Sequence, residues 1–538
     1  MPITREKVIT LNKWHSGMAD VDLDEYASPG QGSYVQLADL IESQPFLRPT
    51  ADPVDDSSGL IATGRIGRIR GYATRRQSGT QGRVYAVDYG TAVGGGGVER
   101  LGVFLMENYG DGWTAVDHDE TAGIGASEPT AGCEFFDNDD LFFCDSNSGS
   151  EVSIARCRIS TSTILVGWDI LNTSTWSAAS GTINRFLRHT DDNLYILQGG
   201  NTAPKLGFYD GVTSPSSTTP VSLPLFYEPV DMISWGNKIL VLANSTRGEG
   251  SILLVRDPYQ SYTYTFDDIY PLSIFRACAL RRVAGRIIIL TADFDYKIYQ
   301  WLGGNEVKLL KTLEGGAAYN TAENMLTQFT IRPEAVDVYN EILYFGTTFT
   351  VNTTFRNGVY AFGFNPDGST FLHNAFLDHA DDESNIRWRA LKVYDDTASL
   401  GIVSTAYDVT GDAYRNMRWV IGATRAGAMR WESVWMRPFP GLKSQIVKCS
   451  LYHEDMGEGS ITISHRKDAD TDYLTIGSAS GDDSFKTVFG NNLTHEGTFT
   501  RTSTNTFTSG HKHKIRIAMT SGAQLEKVKL RVRTTQQE

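Results

Sequence analysis

Asp117-His118-Asp119-Glu120 sets three carboxylates and an imidazole in consecutive positions, donor types that bind divalent cations. No second His-rich segment completes a coordination sphere, so the run reads as a solvated loop. His511 and His513 stand two apart and on a strand would share a face, where a third ligand would complete a zinc site. Ile515 and Ile517 mark an apolar alternation that makes these histidines polar strand positions or a subunit contact instead. His373 precedes a carboxylate-rich run, Asp378-His379-Ala380-Asp381-Asp382-Glu383, which lacks the Asp-x-Asx-x-Asx-Gly spacing of a calcium loop. DVTGDAY at 408–414 and NPDGST at 365–370 look superficially like calcium loops, but Asn-Pro-Asp-Gly is better read as a hairpin turn.

Nucleophile chemistry has no signature here. Neither GxSxG nor HExxH occurs, and the glycines at 94–97 lack the spacing and flanking lysine of a phosphate loop. A pair of glycosidase carboxylates would be invisible among 63 acidic residues. Ten tryptophans (Trp14, Trp113, Trp168, Trp176, Trp235, Trp301, Trp388, Trp419, Trp431 and Trp435) include candidate sugar platforms, though strand packing explains them equally well. Arg65, Arg68, Arg70, Arg75 and Arg76 form a weak basic patch, read as nucleic-acid contact or as an ion-paired surface. The five cysteines Cys133, Cys144, Cys157, Cys278 and Cys449 have no CxxC pair and suit buried thiols, with Cys133–Cys144 a weak disulfide candidate. The residues thus predict no catalytic, cofactor-binding or metal-binding set, and no cofactor.

The elements that would carry any site are strands. Apolar runs begin at Val84, Leu141, Leu194, Ile239, Ile287, Ile342 and Leu400, separated by 57, 53, 45, 48, 55 and 58 residues. Each follows a polar turn and precedes a further strand, so each is expected at the centre of a small sheet, buried on both faces. Packing such sheets radially leaves only short edges. Beyond residue 432 the period stops, and Ile461/Ile463, Ile515/Ile517 and Val528/Leu530/Val532 alternate with polar residues, as in sheets with one wet face. The expected fold is all-β: an N-terminal arm over 1–60, a seven-bladed β-propeller over 61–431 (six or eight blades also fit the period), and a C-terminal β-sandwich over 432–538.

With 538 residues, 41% hydrophobic and 21% charged, the chain can bury a large core. A formal charge of −14 argues against nonspecific duplex binding, which rests on neutralising phosphates. It is compatible with an assembly lining a DNA passage without adhering to it. The opening MPITREKVITLNKW has no apolar core of the signal-peptide kind, and no run of eighteen apolar residues predicts membrane insertion.

Trp14-His15-Ser16-Gly17-Met18 followed by Ser28-Pro29-Gly30 resembles the opening of tailed-bacteriophage structural proteins, with Ser16 departing from their Gly-Gly. Glu432-Ser433-Val434-Trp435-Met436-Arg437, then Gly441-Leu442-Lys443 and the strand 446–451, resembles their junction between propeller and sandwich. The resemblance implies a virion component of the tail or head–tail connector. It implies a non-enzymatic protein forming a symmetric homo-oligomeric ring or tube with other tail or connector proteins, assembled in the host cytoplasm. A receptor- or glycan-binding tail-tip propeller is the alternative, and a glycoside hydrolase a third.

Overall fold

The computed structural model describes residues discontinuously from Arg5 to Thr534; outside the described residues lie 15–31, 37–46, 56–68, 119–131, 166–181, 314–330, 378–385, 421–428, 491–509 and shorter segments. The described chain is almost entirely β-strand, with a 3-10 turn at Pro333–Ala335. Its contacts divide it into two compact units. Unit 1 comprises Met1–Pro53, Gly358–Leu377 and Ile421–Glu538; unit 2 comprises Val54–Asn357 and Asp378–Val420.

Unit 2 holds six four-stranded antiparallel sheets among its described residues. Sheet 1 runs Ile69–Arg75, Arg83–Thr91, Glu99–Met106, Thr114–His118; sheet 2 runs Cys133–Phe135, Asp140–Ser146, Val152–Arg158, Thr163–Leu165. Sheet 3 runs Thr182–Arg188, Leu194–Gly199, Lys205–Tyr209, Val221–Ser222; sheet 4 runs Tyr227–Trp235, Lys238–Ser245, Ser251–Arg256, Asp268–Leu272. Sheet 5 runs Ala277–Val283, Arg286–Asp293, Asp295–Gly303, Glu306–Leu313. Sheet 6 runs Ile386–Asp396, Ser399–Asp408, Ala413–Val420 and takes Val54–Asp55 as its fourth strand.

The periodic apolar runs form the second strand of each sheet. Leu194–Gly199 is buried at every position, and Ile239 to Ala243 have no exposed surface. A strand with neighbours on both edges and apolar residues on both faces must be covered on both sides, and that burial is the main stabilising term. Tight hairpins join the strands. Ala284 and Gly285 are both left-handed (φ 48° and 72°), as a two-residue hairpin loop requires.

First strands of neighbouring sheets pack together: that of sheet 2 against sheet 3, sheet 3 against sheet 4, and sheet 4 against sheet 5. Each of five first strands slips register by one residue. The slips fall at Ile69/Gly71, Ile183/Arg185, Pro229/Asp231, Ala277/Ala279 and Trp388/Ala390. Such a bulge re-aims the side chains beside it.

The expected seven-bladed β-propeller with a C-terminal β-sandwich is corrected by these sheets. Among the described residues none closes on itself into a barrel or propeller; the strands form separate sheets, most of them four-stranded. The repeat opened by Ile342 forms no four-stranded sheet of its own in unit 2, where Val336–Tyr339 pairs with Ile342–Val351. Its later residues, from Gly358 to Leu377, belong to unit 1. Hydrophobic period reports that strands recur, but not which edges they pair with.

Unit 1 is likewise not built from the C-terminal segment alone. One sheet orders Glu6–Leu11, Leu525–Thr534, Ser444–His453, Lys486–Gly490. In the other, Thr370–Leu377 pairs in parallel with Gly32–Gln36, followed in order by Met429–Ser433, His513–Met519, Ser460–Lys467 and Leu474–Ser480. Val528, Leu530 and Val532 are buried while Arg531 and Arg533 are exposed, so alternation fixes the buried face. Trp14 is buried edge-to-face on Trp431 (centroids 5.1 Å apart), and its Nε1 donates to the Glu526 carbonyl at 3.0 Å.

Candidate functional site

The first strands of unit 2 bring together a cluster of opposite charges. Asp231, just beyond the bulge of sheet 4, is fully buried. Its Oδ1 accepts from the Met232 N–H (2.9 Å), and its Oδ2 accepts from the Leu280 N–H (2.9 Å) and from Arg281 Nη1. Arg185 Nε, just beyond the bulge of sheet 3, stands 3.4 Å from Asp231 Oδ1. Arg281 also donates to the carbonyls of Leu280, Pro333 and Val336, joining sheet 5 to the 3-10 turn. Buried charges persist only when paired and hydrogen-bonded in this way.

The 3-10 turn carries Glu334. Burial pushes its carboxyl up to about 7, against the opposing pull of Arg185. The residue keeps partial exposure, yet its Oε1 is closed to solvent and has no hydrogen-bond partner. Gly132 makes room for it: a Cβ there would lie 3.0 Å from Glu334 Cγ. Glu134 is half-buried, with Oε1 accepting from the Phe135 N–H at 3.2 Å. Lys392 Nζ and the Val393 N–H bind Asp337 at 3.2 and 2.9 Å. Burial works against the Arg185 cation, but Asp231, Glu334, Glu134 and Asp337 together raise its pKa.

Chemically, the cluster holds one carboxyl, Glu334, raised by burial to about 7, a second, Asp231, held by backbone N–H groups and Arg281, and the Arg185 cation beside it. Cys133 is no nucleophile here. Burial, then Glu134, push its thiol far up, so it stays protonated.

Other residues singled out from sequence lie elsewhere. His118 ends the strand Thr114–His118, whereas 119 and 120 lie outside the described residues, as do 378–383, 94–97, Trp168 and Trp176. His373 lies on Thr370–Leu377. His511 and His513 do not share a face. The strand begins at His513, which is buried against Ser444 and His465, while His511 is exposed and its N–H donates to Asp468. Among the described residues no three His, Cys, Asp or Glu side chains converge to hold a metal ion. The 365–370 segment is a turn, with the Gly368 N–H donating to the Asn365 carbonyl. Asp408 pairs with Arg415 at 3.0 Å, and Arg75 with Asp139 at 2.5 Å. Cys133 is a free thiol opposite Phe143 in register.

Of the described tryptophans, Trp235 is 39% exposed, and it stands edge-to-face with Trp301 at 5.3 Å. Sequence reasoning missed Glu334, Asp231, Arg185 and Arg281. The isolated Asp231 beside apolar Met232 and Ile233 was the available signal for one of them.

No protein-family model matches the chain, and no curated protein matches it. Among solved structures, the Dos1 propeller is similar with a TM-score of 0.41 and 10% identity, over 69% of this chain and 94% of that one. A GH74 xyloglucanase from Xanthomonas campestris gives 0.41 and 13%, over 75% of this chain and 60% of that one. An exo-beta-1,3-galactanase from Phanerochaete chrysosporium gives 0.30 and 7%, over 86% and 96%. At such scores no activity carries over to this chain.

The expectation of a non-enzymatic bacteriophage tail or connector component, part of a ring or tube, is corrected: among the described residues the separate sheets match no ring or tube. Of the residues that carried the resemblance, Trp14 packs on Trp431 and Glu432 is held by Arg430, Arg516 and Tyr473, while 15–18 and 28–30 lie outside the described residues. The expectation of no enzyme, which rested on that resemblance, is corrected with it.

Proposed function

We propose that unit 2 is a carbohydrate-active module in which Glu334 acts as general acid–base toward a glycosidic bond. The observation that carries this reading is the carboxyl of Glu334, raised to about 7 with Oε1 unpartnered, in one cluster with further carboxylates. Glycosidic hydrolysis needs one carboxyl that holds a proton near neutral pH and a second that does not. Glu334 gives its proton to the departing glycosidic oxygen as the bond to the anomeric carbon breaks. Water adds at that carbon, and Glu134, the half-buried neighbour, takes the proton that water releases. Asp231 is fully buried and serves instead to hold Arg185 and Arg281.

The test is release of reducing ends from a panel of neutral and acidic oligosaccharides. Turnover by the wild type that Glu334→Gln abolishes supports the reading, and no turnover on any member overturns it.

A second reading is glycan binding without cleavage, favoured by the 39% exposed Trp235 beside Trp301 and by Tyr270, 5.9 Å from Trp301. An exposed indole offers a face on which a sugar ring can stack. Binding that survives Glu334→Gln and is lost in Trp235→Ala identifies this case.

A further inference from the structure

Unit 1 carries a row of cations on the outer face of the sheet ordered Glu6–Leu11, Leu525–Thr534, Ser444–His453, Lys486–Gly490. Along Leu525–Thr534 the apolar Val528, Leu530 and Val532 are buried, so Lys527, Lys529, Arg531 and Arg533 share the opposite face. Alternate residues of an antiparallel strand lie about 6.8 Å apart, which sets these cations out along about 20 Å. On the neighbouring strand Lys448 stands directly opposite Arg531, a like-charge pairing that costs stability. The side chains of Arg531 and Arg533 are 51% and 50% exposed, and Lys448, Lys527 and Lys529 are each partly exposed.

The carboxylates of these strands are Glu6 and Glu526, and both are engaged. Glu6 accepts from Arg531 Nε at 2.8 Å and from Arg533 Nε at 2.9 Å, so one carboxylate serves two guanidinium groups. Glu526 pairs with Lys527. Among the described residues neither Lys448 nor Lys529 meets a carboxylate; Lys529 Nζ lies 5.2 Å from the Tyr452 ring centroid, with Lys527 Nζ at 4.7 Å. The face therefore keeps an excess of positive charge, set in a line and open to solvent.

We infer that Lys448, Lys529 and Arg531 form the centre of a surface that binds a linear acidic polysaccharide along the strand Leu525–Thr534. Carboxylate or sulfate groups spaced along such a chain meet the cations through charge-assisted hydrogen bonds and relieve the repulsion between Lys448 and Arg531. Other anionic partners fit the face less well. A protein interface centres on aromatic and apolar anchors and is depleted in lysine, and a lipid surface takes inserted apolar side chains. Among the described residues of these strands Val8 is the one exposed large apolar side chain. A single-stranded nucleic acid stacks its bases on aromatic rings, whereas Tyr452 already holds two lysines. The surface lies in unit 1 and does not rest on the function proposed for unit 2.

Calorimetric titration of the full chain at low salt with polygalacturonate, dextran sulfate, neutral dextran and single-stranded DNA tests the inference. One or both acidic glycans bind and weaken as salt is added, the stronger of the two showing whether carboxylate or sulfate is preferred, and neutral dextran does not bind. Lys448→Gln and Lys529→Gln each lower affinity about fivefold, and Lys529→Arg retains it. The inference is overturned if neither acidic glycan binds, if neutral dextran or DNA binds more tightly than both, or if the double variant Lys448→Gln/Lys529→Gln, melting cooperatively, binds as the wild type does. If that double variant fails to fold, the two single variants decide by the same criterion.

Discussion

His465 Nε2 and His513 Nδ1 lie 2.9 Å apart inside unit 1, with the two rings stacked at 5.1 Å, and His513 Nε2 is 2.9 Å from the Ser444 hydroxyl. One proton serves the contact between the rings; a second would set two N–H groups against each other. Burial, reinforced for His465 by the neighbouring imidazole, holds it down at about 3, and burial holds His513 at about 4.

Both values lie below the ordinary 6.5, so protons favour the unfolded chain. Stability from this pair is full above pH 6.5 and is lost progressively as pH falls toward 4, on the order of 3 kcal/mol for His513 alone. Melting temperature measured from pH 7.5 to 4.5 should be flat at the neutral end and fall steeply below 6. A His513→Gln variant should show a shallower acid limb, and a curve as steep as the wild type's would contradict the assignment.

Glu334→Gln should leave the fold intact while lowering turnover by about 10²–10⁴, the usual worth of a general acid. The wild-type rate should fall as pH rises through about 7, where Glu334 loses its proton, and the variant should lack that limb. A pH profile unchanged by the substitution would remove Glu334 from the chemistry.

Asp231→Ala leaves Arg281 buried without its carboxylate. The expected loss is about 3–5 kcal/mol, read from urea denaturation. A loss below about 1 kcal/mol would mean that the carbonyls of Pro333 and Val336 suffice to hold the cation.

Gly346→Ala tests packing in unit 2. A Cβ at this position would stand 2.6 Å from Trp388 Cδ2, and the indole is rigid and buried. Overpacking should cost about 1–3 kcal/mol in the same denaturation assay.

Much of the strand inventory could be read from the sequence, because an apolar run such as Ile239–Ala243 can satisfy itself only inside a sheet. Which strands share a sheet was not legible. Gly32–Gln36 pairs with both Thr370–Leu377 and Met429–Ser433, and Val54–Asp55 pairs with Ala413–Val420, partners hundreds of residues away that no local pattern encodes. The charged cluster was hidden for a related reason. Arg185, Asp231, Arg281 and Glu334 sit on different sheets and turns, and bulges re-aim Arg185 and Asp231. A bulge is one residue of slippage, which a hydrophobic pattern of period two does not register. His513 shows the converse error: two-residue spacing was read as a shared face, whereas His511 lies before the strand begins.

The first described strand of the chain pairs with the last. Glu6–Leu11 lies antiparallel to Val528–Arg533, and the Arg5 N–H donates to Thr534 Oγ1 at 3.1 Å. During synthesis the opening strand therefore waits, edge unpaired, while more than five hundred residues leave the ribosome. Unit 1 is completed last although it begins first, and its waiting strand needs shielding from other growing chains.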